Sequence, residues 1–147
     1  MNNNFDFAKA VLEEKGEVIG VTTGNSMKPL FRSGKDRAVI IPKPETFNVN
    51  DVLLYRKIST NEVILHRVVS VTKNGLVIRG DNCYYDETNV KNENILGVLK
   101  GFYRGGKYYD CKTSIPYKIY VAYIRASYPL RFFVFRVIRK IKTMLGI

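Results

Sequence analysis

A chain of 147 residues that is 46% apolar suits one domain with one ordinary core and excludes a disordered chain. Its formal net charge of +11 points to an anionic partner, either a lipid surface or nucleic acid. The excess is uneven: residues 1–111 carry 16 basic and 13 acidic side chains, whereas residues 112–147 carry 8 basic and no acidic ones.

The polar, partly acidic stretch Met1 to Lys15 is not a secretory signal sequence. Phe5 to Lys15 reads as a short amphipathic helix capped by Asn4 and stopped by Gly16. Val18 to Thr22 reads as a strand, Thr23 to Ser33 as a loop, and Arg37 to Ile41 as a strand ended by Pro42. Val52 to Lys57 and Val63 to Thr72 are β-branched or aromatic in large part and read as strands. Asn74-Gly75 predicts a tight hairpin with positive φ at both residues, returning along Leu76 to Arg79. Asp81 to Asn94 reads as polar loop. Ile95 to Tyr103 and Lys107 to Cys111 form a second hairpin around Gly105-Gly106. Short strands joined by compact turns give a mainly β, antiparallel domain, partly barrel-like. The period then changes, and Tyr117 to Ser127 and Leu130 to Leu145 read as two helices on either side of Pro129. The expected division is a domain over 1–111 and a basic helical extension over 112–147.

Cys83 and Cys111 are the only cysteines and do not form a CxxC pair, so neither a disulfide framework nor a thioredoxin-like site is expected. No run of about 18 apolar residues predicts a spanning helix. A lone histidine and dispersed acids make no metal site, and nothing calls for a nucleotide, a flavin or another cofactor.

Three segments carry chemistry together. Gly24-Asn25-Ser26-Met27-Lys28-Pro29 places a hydroxyl in a glycine-containing loop. His66, the single histidine, lies within a strand and titrates near working pH, as a general base must. Arg79-Gly80-Asp81-Asn82 supplies Asp81, and Asp86 follows. Ser26 is the expected nucleophile and His66 the base. Asp81 is the preferred orienting acid and Asp86 the alternative. Backbone N–H groups around Ser26 are the expected oxyanion donors. Gly24 is expected to let the loop approach closely without a clash. Met27, Tyr84 and Tyr85 are the candidate cleft residues.

Ser26-Met27-Lys28-Pro29 resembles the nucleophile motif of type I signal peptidases and their self-cleaving repressor relatives. Val52-Leu53-Leu54-Tyr55-Arg56 resembles the strand that follows it. His66-Arg67-Val68 is similar to the general-base motif of the archaeal and endoplasmic-reticulum branch, and Gly80-Asp81-Asn82 with Asp86 resembles the last acidic motif. The ordered match covers roughly Val18 to Leu99 and is far more specific than any one piece. The resemblance implies a signal-peptidase-like antiparallel β core. It also implies Ser-His(-Asp) cleavage of a leader, signal or precursor peptide, with Ser26, His66 and Asp81 or Asp86 in those roles. Two features depart from the family: no membrane anchor precedes Ser26, and Gly24 stands where many members carry a hydroxyl residue.

The basic tail has three readings: packing on the β core or on another subunit, lying on an anionic bilayer, or binding nucleic acid. On the bilayer reading, Phe132, Phe133 and Phe135 enter the interface, while Arg136, Arg139, Lys140 and Lys142 meet the headgroups. The expected location is accordingly cytoplasmic or at the periphery of a membrane. The competing functional reading is a noncatalytic basic membrane- or nucleic-acid-binding protein on a peptidase-derived fold, which a reactive pairing of Ser26 with His66 would exclude.

Overall fold

The computed structural model describes residues 3–147. Helix α1 (Asn3–Lys15) begins earlier than the sequence predicts, so Asn4 lies inside its first turn and is not its cap. Phe5 and Leu12 are buried, and Gly16, at φ 72°, ends the helix with its N–H donated to the Leu12 carbonyl. Seven strands then form one antiparallel path, β1-β2-β7-β3-β4-β5-β6, and β8 pairs with β7. They are β1 (Val18–Val21), β2 (Arg37–Pro42), β3 (Val52–Arg56), β4 (Val63–Thr72), β5 (Gly75–Arg79), β6 (Glu87–Val90), β7 (Ile95–Arg104) and β8 (Lys107–Asp110). The mainly β, antiparallel reading holds.

The sheet has a core on each face, because its side chains alternate along the strands. Along β3, Val52 joins Phe5, Met27, Phe31, Leu99 and Phe102 on one side. Leu53 and Tyr55 join Val68, Ile78, Val90 and Ile95 on the other. Strand β7 serves both neighbours, pairing Ile95–Val98 with β3 and Gly101–Arg104 with β8 on the same edge.

Three elements differ from the sequence reading. The β4–β5 turn consists of Lys73 and Asn74, and Thr72 pairs with Gly75, so Gly75 opens the returning strand. Only Gly75 has positive φ, at 130°, and the expected pair of positive-φ residues is not formed. The stretch read as polar loop contains β6, whose sequence Glu-Thr-Asn-Val shows too little apolar alternation to announce a strand; it exists because β5 offers a free edge at Leu76 and Ile78. Finally, the C-terminal extension is one helix, α2 (Ile115–Leu145), capped by Ser114 and continuous through Pro129. A proline removes one N–H and crowds the carbonyl four residues before it. Here Arg131 braces that turn by donating to Ser127 Oγ and the Ile124 carbonyl.

The loop carrying Ser26 is closed at its base by Asp36. The Asp36 carbonyl accepts from the Thr22 N–H (3.0 Å) and hydroxyl (3.1 Å). Its buried carboxylate accepts from the Arg32 N–H (2.8 Å) and from the guanidinium groups of Arg32 and Arg104. Burial pushes the carboxyl pKa up, but the bonds from Arg32 and Arg104 outweigh it and hold the value at about 2. That lies below the ordinary 3.8, so the contribution of Asp36 to stability is complete above the ordinary value and is lost as pH falls through about 2. Asp36→Asn is expected to cost about 2 kcal/mol at neutral pH and to flatten the acid limb of a plot of Tm against pH. A variant with wild-type Tm at pH 7 and an unchanged acid limb would refute this role.

Candidate active site

His66 sits on β4 opposite Leu53 of β3, and Tyr55 lies two residues along β3 on the same face. The imidazole is buried, with 2% of the residue exposed. Its Nδ1 stands 3.1 Å from Glu87 Oε1 and 3.2 Å from the Tyr55 hydroxyl. Tyr55 in turn donates to Glu87 Oε1 at 2.8 Å, and Lys57 Nζ lies 3.5 Å from the same oxygen. A carboxylate at Nδ1 holds the proton there and leaves Nε2 as the basic nitrogen. Burial lowers the His66 pKa from 6.5, and the neighbouring Glu87 charge opposes that shift without cancelling it. The ring is therefore neutral at pH 7.

Nε2 faces Gly80. A Cβ built on Gly80 would stand 2.9 Å from His66 Nε2, 2.7 Å from the Ser26 carbonyl oxygen and 2.7 Å from Cys83 Sγ. The serine loop and the imidazole thus meet across a residue that has no room for a side chain. The contact is fixed by the Asn82 N–H, which donates to the Ser26 carbonyl at 2.7 Å, and by Asn82 Nδ2, which donates to the Asn25 carbonyl at 3.2 Å. Met27 is buried beneath the loop, where its sulfur accepts from the Asp81 N–H at 3.4 Å.

Ser26 itself is half-buried at the mouth of a cleft of about 430 Å³. Phe7, Val21, Met27, Ile64 and Leu65 are among its walls. Among the described residues, the Ser26 hydroxyl makes no hydrogen bond and its N–H has no acceptor. The first leaves the hydroxyl without a protein partner, and catalytic hydrogen bonds commonly tighten only around substrate. The second leaves an N–H available to a developing oxyanion.

Several sequence expectations are corrected by these contacts. Asp81 is not the partner of the imidazole: its two carboxylate oxygens accept from Arg67 Nε and Nη2 at 2.7 Å each, and Tyr120 donates to Oδ2. Asp86 is not the partner either, since it pairs with Arg79 Nε at 2.5 Å. Glu87 holds that place. Tyr84 and Tyr85 do not line the cleft: Tyr84 stacks on Phe135 of α2 at 4.3 Å, and Tyr85 lies under Lys57 Nζ. Met27 does line it. Gly24 makes no close approach, because a Cβ there would meet nothing within 4 Å; its φ of 81° is what favours glycine. Cys83 and Cys111 are both free thiols, and burial pushes the pKa of each up. Among the described residues no cluster of three or more His, Cys, Asp or Glu side chains is arranged to hold a metal ion.

Two substitutions separate the carboxylates. Glu87→Gln is expected to lower kcat at least about a hundredfold with an unchanged melting temperature. Asp81→Ala is expected to destabilise the fold by about 3–5 kcal/mol, because it strands a buried guanidinium. Loss of activity without loss of stability in Asp81→Ala would return Asp81 to the imidazole. Gly80→Ala must push the serine loop away from Nε2, so turnover should collapse while circular dichroism stays native. A fully active Gly80→Ala would show that this contact does not set the geometry.

No family model matches the sequence and no curated protein matches it, so the functional reading rests on the geometry around Ser26 and His66.

Proposed function

We propose that the chain is a serine endopeptidase of the signal-peptidase-like kind, which cleaves an extended leader, signal or precursor peptide. The observation that carries this reading is the Glu87–His66 pair, whose Nε2 comes up against Gly80 from one side as the Ser26 carbonyl does from the other, while Ser26 itself lines a cleft. In the first step Ser26 Oγ attacks the scissile carbonyl carbon while its proton passes to His66 Nε2. The oxyanion is received by the Ser26 N–H. Collapse breaks the C–N bond, the imidazolium returns the proton to the departing amine, and an acyl-Ser26 ester remains. Water, deprotonated by the same nitrogen, then releases the acid and restores the hydroxyl. Glu87 and Tyr55 stabilise the imidazolium in both halves.

The cleft suits an extended chain. Strand β1 ends the sheet path, so its outer edge carries no strand. Strand β4 pairs with β5 only from Arg67 onward, so Val63–His66 are strand-paired on the β3 side alone. Residues of both open edges, Val18, Gly20 and Val21 with Val63, Ile64 and Leu65, line the cleft. A peptide laid between them adds a strand and delivers a carbonyl to Ser26. The apolar walls favour apolar side chains on that peptide.

The test is mass-spectrometric cleavage of a precursor-peptide library by the purified chain, with Ser26→Ala and His66→Ala in parallel. Both variants should lose cleavage and keep the fold; cleavage that survives Ser26→Ala would remove the nucleophile. The pH profile carries the second signature. Activity should rise as His66 loses its proton, along a limb below 6.5. Glu87→Gln should move that limb further to acid, because the carboxylate raises the imidazole pKa. A limb near pH 9, unmoved by Glu87→Gln, would exclude His66 as the base.

A further inference from the structure

Helix α2 presents two faces of different character. Tyr117, Tyr120, Ile124, Arg131 and Phe135 turn inward, where they contact Arg67, Asp81 and Tyr84 or the core. Phe132, partly exposed, stacks on Tyr128 of the same helix. The opposite face is apolar and bare. Ile119, Leu130, Phe133, Val137 and Ile141 stand on it, with Phe133 64% exposed and Ile141 50% exposed. Because Pro129 does not break α2, the helix that carries this stripe is continuous over 31 residues, or about 46 Å at the usual helical rise. It is far longer than the two-helix reading allowed.

The flank of the stripe is basic. Lys118, Arg125, Arg136 and Lys140 follow one side of it, Arg139 lies further round, and no acidic residue occurs after Asp110. None of the described helices is long and apolar enough to cross a membrane. An exposed apolar stripe beside long cationic side chains is the pattern of a helix lying in a bilayer interface. There the apolar face enters the acyl boundary and Lys and Arg reach back to the headgroups.

We propose that the outer face of α2 docks the protein in-plane on an anionic lipid bilayer. The face that enters the lipid contains Phe133, Val137 and Ile141 and excludes Phe135, which is stacked on Tyr84. Docking leaves the inner face undisturbed, so the contacts of α2 with Arg67, Asp81 and Tyr84 persist on the membrane. This proposal is independent of the chemistry assigned to Ser26.

The experiment is flotation of the full chain with vesicles of phosphatidylcholine alone and of phosphatidylcholine with phosphatidylglycerol, at rising salt. The chain should float with the anionic vesicles, stay behind with the neutral ones, and be released by salt. Phe133→Ser with Ile141→Ser should weaken partition by about tenfold or more while helicity is retained. Replacing Arg136, Arg139 and Lys140 by serine should weaken it by about fivefold per charge. Failure of the wild-type chain to float with anionic vesicles overturns the proposal. So does partition that is insensitive to the apolar pair, which would leave only a charge-driven contact of the kind nucleic acid makes. If instead the chain dimerises in sedimentation equilibrium, does not float, and loses the dimer on Phe133→Ser with Ile141→Ser, a second copy covers the stripe and the lipid assignment is wrong.

Discussion

The pair on which this architecture depends is Arg67 with Asp81. Both side chains are buried, 3% and 1% exposed, and they meet through two hydrogen bonds of 2.7 Å. Two buried charges cost several kcal/mol each unless every polar atom is met. Here the remaining guanidinium nitrogen donates to the Asn50 carbonyl and the Tyr117 hydroxyl, and Tyr120 completes the carboxylate. Among the described residues no buried side-chain nitrogen or oxygen is left without a partner. Arg67 follows His66 on β4, so the two side chains leave the strand on opposite faces. Asp81 follows Gly80. Fixing Arg67 against Asp81 therefore fixes the strand of His66 against the loop that separates His66 from Ser26.

The same pair recruits α2. Tyr117 and Tyr120 supply hydroxyls to it, and Arg131 caps the Asp81 carbonyl from a later turn. Further along, Phe135 stacks on Tyr84, and Tyr128 receives the Arg79 guanidinium over its ring at 3.6 Å. All of these contacts fall on the segment from Arg79 to Tyr84 or on its ion-pair partner. The helix is therefore not an appendage to a finished domain. It forms the back wall of the loop that presents Gly80, Asn82 and Cys83 to the site, and the proposed domain boundary at residue 111 cuts across that wall.

The strands were legible because burial on two faces demands β-branched and aromatic runs, and β4 has the predicted ends. The order of the serine, histidine and acidic segments likewise pointed to Ser26 and His66, and the serine loop and the imidazole both come up against Gly80. The identity of the carboxylate was not legible. Asp81 and Asp86 flank the turn in a familiar spacing, but spacing does not say which arginine each will meet. The contest is decided by Arg67 and Arg79, which lie opposite one another in the β4–β5 register and draw off the two aspartates in turn. Glu87 is left for the imidazole, and it reaches the ring only because β6 forms beside β5. A usable signal did exist: the antiparallel pairing of Val52–Arg56 with Val63–Arg67 sets Tyr55 diagonal to His66, and a buried tyrosine hydroxyl beside a histidine calls for a nearby acceptor. Pro129 misled for a related reason, since the turn before it is braced by Arg131, two residues later, and nothing at Pro129 itself signals that.

The uneven charge of the chain acquires a structural meaning from these pairs. Several acids of the first 111 residues are held by bases of the same segment: Asp36 by Arg32 and Arg104, Asp81 by Arg67, Asp86 by Arg79, and Glu87 by Lys57. The β-domain is therefore close to balanced, and its fields are consumed over a few ångströms. On α2 only Arg131 turns inward, and it meets carbonyl and hydroxyl oxygens rather than a carboxylate. The other helical cations have no acid on their own element with which to pair. Their field is not consumed by the helix, and part of it flanks the bare apolar stripe. Charge that stabilises the fold and charge that remains for an external partner are thus separated by element, with the inner face of α2 as the boundary between them.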